Sequence, residues 1–83
     1  MAEIVSHIRM TLDQAKAHLE GIVAMKRNEA AAYRQRGDEY KAAANEGYDG
    51  LQRQHFDQSS ECYAKAREVD RDADAIDIVL GRR

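Results

Sequence analysis

Three histidines, one cysteine and an Asp-x-Asp-x-Asp run are the residues of this chain whose types could do chemistry. His7 and His18 stand eleven apart, so on a helix they share a face but lie about 16 Å apart along its axis, too far to hold one metal ion. His55 is remote from both and reads, like them, as a solvated helix histidine. Cys62, next to Tyr63, reads as a small half-buried side chain rather than a nucleophile. Asp70, Asp72 and Asp74 have the spacing that opens a calcium loop. Such a loop then needs Gly and, at its twelfth position, a bidentate Glu, where this chain has Ala75 and Gly81. The run therefore reads as the solvated, acid-rich end of a helix. No Gly-rich phosphate loop and no Ser/His/Asp grouping is present, so the reading is of a non-enzymatic protein with no catalytic residue, metal or cofactor.

One set could grip a ligand. Tyr33, Tyr40 and Tyr63 are interleaved with Arg34, Arg36 and Arg67, the combination that stacks and pairs with nucleotides. The stretch 26 to 36 is net +3, so Lys26, Tyr33, Arg34 and Arg36 form the candidate site for a small anionic ligand. The competing reading places the tyrosines in the middle layers of a helical hairpin with their hydroxyls at its edge.

The elements that would position these residues are helices. The chain has 83 residues, no Pro and five Gly, with long stretches of Ala, Glu, Lys, Arg, Gln and Leu, the residues that lose least on entering a helix. Fourteen residues are Ala and only seventeen are Ile, Val, Leu, Met or Phe, so the core must be thin. A single domain this short buries proportionally little surface, which presses it toward association. The formal charge of −2, with both signs interspersed, recommends neither nucleic acid nor a strongly charged partner. No apolar run approaches the roughly 18 residues of a membrane span. A lone cysteine and no leader-like start point to a soluble chain in a reducing cytoplasm.

Apolar or small residues recur at Ile8, Leu12, Ala15, Leu19 and Ile22, then at Ala30, Tyr33, Gly37, Tyr40 and Ala44, the seam of a helix packed on a helix. Helix periodicity lapses at Glu46-Gly47-Tyr48-Asp49-Gly50, and Asp49 with Gln52 has the spacing of an N-cap pair. A second stripe follows: Phe56, Ser59, Tyr63, Ala66, Val69, Ala73, Ile76 and Leu80, closed by Gly81 and two arginines suited to a helix C-terminus. The fold expected is all-α, a single domain of two long antiparallel helices in a coiled-coil-like hairpin. The spans are about 11–45 and 51–80, with a turn at 46–50.

With the turn centred on Tyr48, residues facing one another should have numbers summing to about 96. Gly37 then meets Ser59, Ala30 meets Ala66, Val23 meets Ala73, Tyr40 meets Phe56 and Tyr33 meets Tyr63. Lys26 falls opposite Asp70, and Arg34 close to Glu61. The second helix ends before it can cover residues preceding Lys16, leaving Ile4, Val5, Ile8 and Leu12 as an overhang. A T-x-x-Q capping box at Thr11 and Gln14 allows residues 2–10 to be a short separate helix folded over Leu19, Ile76 and Val79. In the alternative, the first helix runs on unbroken and packs on another copy. Ile76, Ile78, Val79 and Leu80 surround the second helix and cannot all face one partner.

Residues Ala32 to Asp72 resemble one tetratricopeptide repeat: Tyr33, Gly37 and Tyr40 stand at the first helix's spacing, and Phe56, Tyr63, Ala66 and Val69 at the second's. The chain departs from that pattern in some ten extra residues between the helices, in Ser59 for the usual Ala, and in Arg71 where Pro closes the repeat. A lone repeat cannot bury its own face, so the resemblance implies a protein-binding scaffold formed by assembled copies. The function expected is a small adaptor or inhibitor of a protein partner, of the kind mobile elements and phages carry. It would form a homodimer or higher homo-oligomer, with Ile4, Val5, Ile8, Leu12, Ile76, Ile78, Val79 and Leu80 as anchors. An oligomer that sequesters a nucleotide-like anion is the alternative.

Overall fold

The structure is a computed structural model and describes residues 10–47 and 50–82. Among these residues it contains two helices and no strand: α1, Leu12–Glu46, and α2, Gln52–Val79, packed along one another as an antiparallel hairpin. The all-α hairpin expected from periodicity is the fold observed.

α1 begins where the capping box places it. Thr11 is extended, its hydroxyl accepts from the Gln14 amide at 3.1 Å, and its own amide donates to Gln14 Oε1 at 2.9 Å. Two donors that a helix start leaves orphaned are thereby satisfied. The helix therefore starts at Leu12, and an unbroken helix running back through the overhang is excluded at Thr11; Ile4, Val5 and Ile8 lie outside the described residues. Gly47 ends α1 in the left-handed conformation at φ 69°, which costs a glycine nothing sterically. α2 departs from expectation at its start. Its N-cap is Leu51, with no side-chain cap, two residues after the position that the Asp49 and Gln52 spacing gave it; Asp49 itself lies outside the described residues. At the other end, the Gly81 amide bonds to the Ile78 carbonyl at 3.0 Å and the Arg82 amide to the Asp77 carbonyl at 2.9 Å. With Gly81 at φ 74°, this is a Schellman closure.

The seam between the helices consists of small residues at intervals of seven. Val23, Ala30, Gly37 and Ala44 are the buried residues of α1, and Ser59, Ala66 and Ala73 recur at the same interval in α2. Ala30 and Ala73 are 0% exposed. Side chains this short let two helix backbones approach closely. The Ser59 hydroxyl bonds directly to the Gly37 carbonyl at 2.8 Å, satisfying a buried polar group across the seam. The pairings Gly37 with Ser59 and Ala30 with Ala66 thus lie where the mirror arithmetic put them, and Val23 and Ala73 are both buried.

The pairings of large residues do not. Tyr33 packs on Ala30, Ala66 and Val69, whereas the Tyr63 ring lies over Gly37 and its hydroxyl bonds to Asp38. Tyr40 stacks on His55, with centroids 6.2 Å apart, and Phe56 is exposed. Lys26 pairs with Asp72 at 3.8 Å rather than with Asp70, and Arg34 pairs with Asp70 rather than near Glu61. The cause is directional. Long helical side chains lean toward their own N-terminus, and in an antiparallel pair these leans oppose, so a long side chain can reach partners one to two turns beyond the Cα opposite it as well as one nearly across, as Arg27 does with Asp74, Asp77 and Asp70. Contacts of Tyr63 with Asp38 and Arg27 with Asp74 have numbers summing to 101; those of Arg34 with Asp70 and Arg27 with Asp77 sum to 104.

Among the described residues no large side chain is fully buried. The molecule measures 63 × 27 × 13 Å, and its thinnest dimension is that of a single layer of helices. Stable domains ordinarily enclose a core between two layers.

Candidate partner-binding site

A hairpin of one layer has two flanks, and here they differ in kind. On one flank α1 presents Arg27 and Arg34, two turns apart, and α2 presents Asp70, Asp74 and Asp77. Arg27 donates to Asp70 Oδ1 at 3.0 Å, Asp74 Oδ1 at 2.7 Å and Asp77 Oδ2 at 3.1 Å, and Arg34 also binds Asp70. The hydrogen bond to Asp74 raises the Arg27 pKa above its ordinary value, opposed by desolvation and reinforced by Asp77, so the guanidinium is a permanent cation. Asp77 is itself buried; among the described residues its Oδ1 accepts no hydrogen bond and lies 3.6 Å from Arg82 Nη1. Farther toward the turn, the bond between the Tyr63 hydroxyl and Asp38 continues this polar flank. The acidic run is therefore not the solvated helix end expected. Its members at intervals of four and three are drawn onto Arg27, while Asp72, outside that spacing, remains exposed. Among the described residues no group of acids, histidines and cysteine could hold a metal ion.

The other flank is mainly apolar. Leu19, Ile22, Tyr33 and Tyr40 of α1 and Cys62 and Ile76 of α2 are half-buried, and Val69 is buried. Spacing puts them together: Tyr33, Tyr40, Cys62, Val69 and Ile76 each fall three residues after a residue of the small seam, and Ile22, one before Val23, turns to the same side. Toward the open end of the hairpin this flank forms a cleft of about 190 Å³ that, among the described residues, Leu19, Ala75, Ile76 and Val79 line. Around it the apolar surface continues. Leu12 is 71% exposed, Ile78 63% and Val79 77%, and Leu80 is half-buried. Of the eight anchor residues expected, Leu12, Ile76, Ile78, Val79 and Leu80 therefore gather at this end, and Ile4, Val5 and Ile8 lie outside the described residues.

The residues suggested for an anionic ligand do not converge. Arg34 faces the polar flank, bound to Asp70, and Lys26 is paired with Asp72. Tyr33 and Arg36 do meet, the guanidinium 5.7 Å from the ring centroid, beside a notch of about 100 Å³ that Glu29 also lines. That is small beside the 300–1,000 Å³ of typical ligand pockets, and its carboxylate opposes an anion. Arg27, which the charge count grouped with these residues, is committed to three carboxylates. The signal for that role lay in the sequence: arginines seven apart on one helix, and aspartates at 70, 74 and 77 on the facing stripe of the other.

No family model, no curated protein and no solved structure matches this chain. The similarity to a tetratricopeptide hairpin rests on residue spacing alone. Helices of 35 and 28 residues, joined by the five residues between Glu46 and Gln52, make one extended hairpin. Among the described residues no helix is long and apolar enough to cross a membrane.

Proposed function

We propose that this chain is a small non-enzymatic interaction module that self-associates and acts as an adaptor or inhibitor of a protein partner in the cytoplasm. The supporting observation is a hairpin one layer thick, with no large side chain fully buried and an apolar cleft open at the end where Leu12, Ile76, Val79 and Leu80 gather. Apolar surface grouped in this way is what helix-on-helix binding uses, whereas singly scattered apolar residues would need no partner. Leu12 lies at the same end, and the sequence-based anchors Ile4, Val5 and Ile8 are proposed to act with it.

Changing both Ile8 and Leu12 to Asp tests this reading. The expected result is conversion of the oligomer to a less stable monomer, seen as a slower sedimentation boundary and a lower melting temperature. An unchanged sedimentation profile with an unchanged melting curve rejects it.

A further inference from the structure

We infer that the apolar flank, from Leu19 and Ile76 at the open end to Tyr33, is where a second copy of this chain lies side by side with the first. The inference rests on the self-association proposed above and specifies its surface.

The choice of flank follows from the contrast between the two. On the polar flank Arg27, Arg34, Asp70, Asp74 and Asp77 already satisfy one another, and covering such a network removes charges from water for little new contact. On the apolar flank Leu19, Ile22, Tyr33 and Ile76 are each left half-covered by their own chain. They need a second layer.

Area and charge indicate what that layer is. A face of 63 × 27 Å has roughly twice the 800 Å² or so that each partner contributes to a standard interface. Leu19 to Tyr33 spans about 21 Å of helix, a third of the length of that face, so the contact is roughly 570 Å² per partner, the size of a weak, concentration-dependent pair. The flank is also complementary to itself. Its ionic groups are Lys26 paired with Asp72, Lys65 paired with Glu68, and Arg36 with Glu29 at the notch, equal in sign and number. A two-fold axis near the level of Lys26 gathers two Lys26 and Asp72 pairs at its centre, so the like charges that meet there carry their counter-ions with them.

Cys62, the sole cysteine, lies half-buried on this flank and serves as a native reporter. The experiment follows its alkylation rate in the full-length reduced chain across a dilution series, with sedimentation in parallel. Ile22→Glu and Phe56→Glu are compared with wild type. Phe56 is the exposed aromatic two turns before Tyr63, on the polar flank.

Side-by-side pairing through the apolar flank predicts a several-fold fall in the Cys62 rate as dimer forms. It also predicts a monomer for Ile22→Glu and an unchanged dimer for Phe56→Glu. If a dimer forms while the Cys62 rate stays constant, or if Phe56→Glu rather than Ile22→Glu breaks it, the flank assignment is overturned and self-association stands. A wild-type chain that remains monomeric at every concentration overturns both. Should Ile22→Glu fail to fold, the wild-type Cys62 rates still decide.

Discussion

Gly37 is in the middle of a helix, where glycine is a poor choice, and the structure shows what it makes room for. A Cβ there would sit 2.9 Å from Cε1 of Tyr63 and 3.1 Å from Cδ1 and Cζ. The ring cannot easily retreat, since its hydroxyl is bonded to Asp38. Gly37→Ala gains about 1 kcal/mol of helix propensity, but overpacking typically costs about 1–3 kcal/mol. The expected result is a net loss of about 1 kcal/mol in a urea titration. In a Tyr63→Phe background, where the ring is free to tilt, that loss should shrink, and equal losses in both backgrounds would show that the ring is not the obstacle. The same hydroxyl carries a pH dependence. Its hydrogen bond to Asp38, reinforced by burial, raises the Tyr63 pKa above the ordinary 10.0. The folded state therefore holds the proton longer than the unfolded chain does. The resulting stability is complete below pH 10 and is lost as pH rises through the higher folded-state value. Tyr63→Phe should remove that alkaline component of the stability curve, measured by denaturant midpoints between pH 8 and 11 in both proteins.

At the scale of the element, the helix spans and the small-residue seam were readable from sequence because each depends on local chemistry or on Cα position alone. The Thr11 and Gln14 pair fixes the start of α1 with residues three apart, and Thr11→Ala should cost about 1 kcal/mol through loss of that cap. Thermal melts followed by circular dichroism check this, and a cost near zero would mean that residues beyond the box hold the terminus. The start of α2 was less readable. The linker contains two glycines at positive φ, Gly47 and Gly50, and the chain direction they set brings Leu51 rather than Asp49 to the cap position. Which long side chains meet was read incorrectly for a third reason. Opposition of Cα atoms predicts contacts for Ala, Gly and Ser, whose side chains end where they begin, but not for Arg or Tyr, which lean a turn away. Corrected for that lean, the arithmetic that gave Ala30 opposite Ala66 also gives Arg34 opposite Asp70.

For the whole molecule, the open question in the sequence was how a chain with so few bulky residues encloses a core, and the hairpin answers it only in part. The seam encloses Val23, alanines, Gly37 and Ser59, and, Val69 apart, Leu19, Ile22, Tyr33, Tyr40 and Ile76 on one flank and Leu12, Ile78, Val79 and Leu80 at the open end are left half-covered or exposed. Composition could give the shortage but not its location, because the flank on which a residue falls depends on which side of the seam its stripe drifts. The location makes the shape of an assembly predictable. Copies joined through the tips at Leu12 and Val79 would form a rod approaching twice the 63 Å of one hairpin. Copies lying flank to flank about an axis near Lys26 overlap almost fully, because Lys26 is only three residues, about 5 Å, from the midpoint of α1. The pair then lengthens by only about 10 Å while its 13 Å thickness grows by a helix layer of about 10 Å. Small-angle scattering at concentrations where sedimentation reports a dimer should therefore give a longest dimension exceeding that of the monomer by less than a quarter, with a clearly larger cross-section. A near doubling in length at constant cross-section would place the contact at the tips and leave the apolar flank uncovered.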